Sequence, residues 1–164
     1  MERELRKRQN LLVEAGMGVV LFAVWSVAKV NLYLGHSTFF LEELYRTAEQ
    51  FGIKEKTFLI FMASFIAVIL LVQLSIRLYI GLCASAEGKG KTKGWAYLVL
   101  TVVLLMIEGQ TCWQSFGVER ILGGEELSID LVTGLCMELA SLYVLLELLI
   151  SGIRVKQLRK KMKV

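Results

Sequence analysis

Ionisable residues set inside long apolar runs are the groups through which this chain could do chemistry: Glu14, Lys29, Arg77, Glu108, Glu138 and Glu147. Glu138 is the most demanding of them. It lies within residues 129–152, IDLVTGLCMELASLYVLLELLISG, an apolar stretch of membrane-spanning length with Ser128 placed to cap it and Gly152 placed to end it. At about 1.5 Å rise per residue, a helix starting near residue 129 carries Glu138 roughly 15 Å inward. A carboxylate at that depth must face protein or water, pair with a cation, or hold a proton. Lys29 can reach inward toward it from the outer side, and Glu108 can supplement that cluster. At the inner side, Glu14, Arg77 and Glu147 fall at compatible depths, so that Arg77 can pair with either carboxylate. Two charged layers fit either regions of a gated ion path or an ionic lock that fixes helix packing.

Other chemistry finds little support. The segment ASAEGKGKTKG nearly matches a phosphate-cradling loop, with Ser85 at the first-glycine position followed by Gly90, Lys91 and Thr92. It joins apolar helices instead of following a strand, and no magnesium-binding partner accompanies it, so a nucleotide enzyme is rejected. Cys83, Cys112 and Cys136 lack metal-ligand spacing, and His36, the only histidine, stands in an expected solvent-facing loop. Carboxylates alone do not establish acid–base catalysis, and no serine or cysteine–histidine arrangement joins them. No cofactor or metal is implied.

The elements that must position these residues are four apolar blocks, expected as membrane spans over residues 11–33, 57–80, 95–116 and 129–152. The fold class expected is an all-α polytopic membrane protein, a compact four-helix bundle forming one integral domain over residues 1–164. The absence of proline favours uninterrupted helices. The charged start MERELRKRQN resembles an export signal, but the apolar run behind it is too long for a signal core and lacks a small-residue cleavage pattern, so it reads as a retained span. Within that span Glu14, Gly18, Leu21, Trp25 and Lys29 share one projected stripe. The third span is the most polar, and Thr101, Glu108 and Cys112 project to one face that should look into the protein. Between the first two spans, Phe40, Leu41, Leu44, Tyr45, Ala48 and Phe51 make the apolar face of a short amphipathic helix, extracytosolic and lying on the membrane or over the bundle.

The formal net charge of +4 does not point to nucleic acid, because the lysines and arginines collect beside the apolar blocks. Arg3, Arg6, Lys7 and Arg8, the loop lysines, and the C-terminal run place both termini and residues 86–94 in the cytosol. Residues 34–56 and 114–128 then lie opposite, where Arg120 stands among Glu119, Glu125 and Glu126. The membrane expected is the plasma or inner membrane. Lys89, Lys91, Lys93, Arg154, Lys156, Arg159 and Lys160 are candidate contacts to lipid headgroups, and the segment after Gly152 reads as an interfacial or solvated tail. These features support a small transporter or ion-permeation protein, self-associating because alternating access is easier to build between protomers. The alternative is a non-catalytic accessory or assembly protein that fixes its own packing by charge pairs and receives a membrane-protein partner.

Overall fold

The computed structural model describes residues 2–36, 44, 46–47, 50, 54–116 and 129–162. The described residues include four long helices: α1 (Glu2–His36), α2 (Glu55–Gly88), α3 (Ala96–Phe116) and α4 (Ile129–Met162). Each contains a segment long and apolar enough to cross a membrane. Even α3, the shortest with 21 residues, reaches about 31 Å, which matches a hydrocarbon core of about 30 Å. Its helix runs unbroken through Glu108 and Cys112. Of the expected amphipathic connection, only Leu44, Arg46, Thr47 and Gln50 are described, all helical; the rest lies outside the described residues.

The chain divides into two units, Met1–Val20 with Leu78–Val164, and Leu21–Arg77. In the first unit, α1 and α2 run antiparallel and touch through glycines. A Cβ on Gly81 would stand 2.6 Å from the Gly16 carbonyl oxygen, and one on Gly88 would stand 2.6 Å from the Gln9 carbonyl. Such distances are open only to glycine, which lets backbones meet where side chains would hold them apart. Helices α3 and α4 are also antiparallel, with Leu98 against Gly152 near one end and Glu108 against Ser141 further along. Their buried faces follow helical spacing: Tyr97, Thr101, Leu104 and Cys112 on α3; Ser141, Leu145, Leu148, Gly152 and Val155 on α4. The start of α1, the end of α2, the start of α3 and the end of α4 therefore belong to one end of this unit.

In the second unit, the apolar side chains of α2 stand largely exposed, among them Ile60, Phe61, Phe65, Val68 and Leu71. Ser26 and Ser75 satisfy their hydroxyls by donating to the carbonyls of Phe22 and Leu71 one turn back.

Several expected boundaries shift. Helix α4 passes straight through Gly152 and ends ten residues later, because this glycine serves close packing: a Cβ there would meet Leu98 Cδ2 at 2.7 Å and Tyr97 Oη at 3.0 Å. What reads as a tail is thus helix, with Val155 fully buried. Helix α2 likewise takes in residues 84–88 of the expected loop. His36 is the last residue of α1 and not a loop residue. On α1, the buried stripe is Leu5, Leu12, Ala15, Gly16, Val19 and Ala23, while Glu14, Leu21, Trp25 and Lys29 are exposed. Gly18 sits at the margin between them, where a Cβ would meet Val144 at 2.9 Å.

Candidate functional site

Helix α2 ends by a backbone mechanism that prepares a buried charged cluster among the described residues of the first unit. The Lys91 amide donates to the Ala86 carbonyl at 3.1 Å and the Gly90 amide to the Glu87 carbonyl at 3.0 Å. This is the Schellman pattern, and it needs a left-handed residue at the position Gly90 occupies with φ +95°. Helix α2 has no basic residue in its own last turn. The cations that complement its C-terminal dipole come instead from α4.

Glu87 is the centre of that cluster. Its side chain is only 2% exposed, and its Oε1 lies 3.1 Å from Lys156 Nζ and 3.9 Å from Arg159 Nη1. Both cations also bind backbone. Lys156 Nζ donates to the Lys93 carbonyl at 2.6 Å, while Arg159 donates to the Lys91 carbonyl at 3.1 Å and the Glu87 carbonyl at 2.8 Å. The Lys156 ammonium further sits 5.4 Å from the Trp95 ring centre and 5.5 Å from that of Tyr97, within cation–π range. Two buried atoms of this cluster make no hydrogen bond, Glu87 Oε2 and Tyr97 Oη. The phenol nevertheless lies close enough to the carboxylate to interact with it electrostatically. Chemically this is a lock: it fixes residues 89–95 between two helix ends.

A second, lighter ion pair sits at the same end. Arg8 Nη1 stands 3.8 Å from Glu147 Oε1, and the Ser151 hydroxyl donates to that same oxygen at 3.0 Å. Glu147 thus meets α1 through Arg8. Further along α3 and α4, Ser141 Oγ donates to Glu108 Oε2 at 2.7 Å. Glu138, one turn before Ser141, lies in electrostatic range of the buried Cys112 thiol of α3. The structure therefore brings Glu108, Cys112, Glu138 and Ser141 to one interface, with both carboxylates half-buried.

Glu14 is exposed on α1, Lys29 is exposed and Arg77 is buried. The expected approaches of Lys29 to Glu138, and of Arg77 to Glu14 or Glu147, each join residues of different units. Among the cations expected at headgroups, Lys89, Lys91, Lys93, Arg154 and Lys160 are exposed, whereas Lys156 and Arg159 turn inward to Glu87. Sequence reasoning missed Glu87 because glycines and lysines behind it suggested an open loop. A signal was present: Ile80, Cys83, Ala84 and Glu87 continue one buried helical stripe that ends on a carboxylate.

No family model, no curated protein and no solved structure matches this chain.

Proposed function

We propose that this chain is a polytopic protein of the plasma or inner membrane with four spans, and that it acts as a non-catalytic accessory or assembly protein held rigid by buried charge pairs. The observation that carries this reading is the engagement of Lys156 and Arg159. Their donors meet the Glu87 carboxylate and the carbonyls of residues 87, 91 and 93, so these charges act on the protein itself. Glycine contacts at the same end, Gly16 on Gly81 and Gly152 on Tyr97, support rigid packing over an aqueous opening there. The basic end faces the cytosol on the positive-inside rule. The connection between the first two spans, amphipathic in its sequence, is then the segment that receives a membrane-protein partner.

Ion permeation by a self-associated form is the second reading, and one observation favours it: Glu108 and Glu138 share the α3–α4 interface, each inside a segment long and apolar enough to cross a membrane. Reconstitution into liposomes carrying pH-sensitive and cation-sensitive dyes separates the two. The accessory reading expects no protein-dependent flux at any pH. Flux that requires the wild-type chain and changes in a folded Glu138→Gln or Glu108→Gln variant would replace it with permeation.

A further inference from the structure

Residues 89–95 present two unlike faces. The Lys91 and Lys93 carbonyls turn toward α4, where they accept hydrogen bonds from Arg159 and Lys156. The side chains of Lys89, Lys91 and Lys93 are exposed, and Trp95 beside them is 60% exposed. The carboxylate of Glu87, two residues before Lys89, is buried and already offset by two cations, so it does not neutralise the outer face. A Cβ on Gly90 or Gly94 would meet nothing within 4 Å, which leaves that face open to close approach. Exposed Arg154, Lys160 and Lys161 add charge of the same sign on the last turns of α4.

Cations set beside an exposed indole match the interfacial layer of a bilayer, where phosphates lie next to the edge of the hydrocarbon and tryptophan is enriched. A nucleic acid would meet the lysines and stack a base on the indole, but the loop is flanked by segments of α2 and α3 long and apolar enough to cross a membrane, which sets it beside hydrocarbon. We propose that residues 89–95 form a binding loop for anionic phospholipid headgroups, displayed by the buried contact of Glu87 with Lys156 and Arg159. The held Lys91 and Lys93 carbonyls fix the loop on α4 while its lysine side chains stay exposed. The loop rests on the membrane placement proposed above.

The test uses the full chain in nanodiscs of mixed phosphatidylcholine and phosphatidylglycerol, transferred to mild detergent, with retained lipid counted by native mass spectrometry. The wild type retains phosphatidylglycerol in preference, and the preference weakens as salt rises. The combined Lys89→Ala, Lys91→Ala and Lys93→Ala variant binds it about tenfold more weakly or worse. Glu87→Gln keeps every lysine but loosens the loop, and its retention falls between the two. Equal retention by wild type and the triple variant overturns the proposal, as does full displacement of the lipid by inorganic phosphate, which assigns the lysines to a soluble anion. A chain that does not enter nanodiscs overturns the membrane reading before any lipid is counted, so the two failures stay distinct.

Discussion

Lys156 of α4 closes on Glu87 of α2 at 3.1 Å, with the two side chains only 11% and 2% exposed. A pair this buried is costly to break from one side, because the remaining charge loses its partner without regaining water. Glu87→Gln should therefore destabilise the protein by about 3 kcal/mol, whereas Glu87→Gln combined with Lys156→Met should cost less than the two single changes added. Thermal unfolding in detergent, arranged as a double-mutant cycle, measures the coupling. Additive effects would show that the two residues do not stabilise each other.

The helices were legible because apolar runs of spanning length, free of proline, admit few other structures. The projection of Thr101, Glu108 and Cys112 onto one inward face of α3 also survives, since helical periodicity places it without knowledge of the neighbour. Other features depend on contacts between distant segments. Gly152 carries the local signature of a helix end, yet Tyr97 and Leu98 require a glycine in mid-helix at that point. Glu87 stands before a glycine-rich, lysine-rich segment, and its cations arrive from the far end of the chain. Nothing local to residues 84–94 announces them.

Glycines that mediate backbone contact should separate sharply from those that do not. Gly81→Ala places a Cβ 2.6 Å from the Gly16 carbonyl and from Val20 Cγ2, so α1 and α2 must move apart, at about 1 to 3 kcal/mol for overpacking. Gly109→Ala meets nothing within 4 Å and gains helix propensity, about 1 kcal/mol of stabilisation. Unfolding temperatures of the two variants should lie on opposite sides of the wild type. Identical temperatures would remove the close approach of α1 to α2 as a source of stability.

Gly90 makes a narrower prediction. Its φ of +95° is required by the motif that ends α2, so Gly90→Ala should cost about 1 to 2 kcal/mol although space for the side chain is open. Gly94→Ala, equally open and without a positive φ, serves as the control and should be near neutral. Hydrogen exchange at the Gly90 and Lys91 amides should rise in the first variant alone.

Sidedness follows from the shared end of the first unit, where Gly88 meets Gln9 and Val13 of α1 and where Arg159 meets the Lys91 carbonyl. Tags at the N terminus, at the C terminus and after Lys91 should all be reached from one side, and the positive-inside rule predicts that this side is the cytosol. In intact cells an impermeant reagent should leave all three unlabelled and should label them after permeabilisation. Labelling of the C-terminal tag alone from outside would reject the four-span arrangement.

The contact of Ser141 with Glu108 tests whether polar groups along α3 and α4 contribute to their association. The Ser141 hydroxyl donates to Glu108 Oε2 at 2.7 Å. In a bilayer such bonds average about 0.6 kcal/mol and reach about 1.7, because the separated helices find other partners for the same groups. Ser141→Ala should therefore destabilise by an amount in that range. Glu108→Gln keeps an oxygen able to accept from Ser141 and should cost less, while Glu108→Leu removes the acceptor and leaves the serine hydroxyl without this partner. The expected order of stability is wild type, then Glu108→Gln, then Ser141→Ala, with Glu108→Leu no better than the last. Glu108→Leu more stable than the wild type would mean that apolar packing outweighs the hydrogen bond at this position, and that the carboxylate is kept for something other than holding α3 to α4.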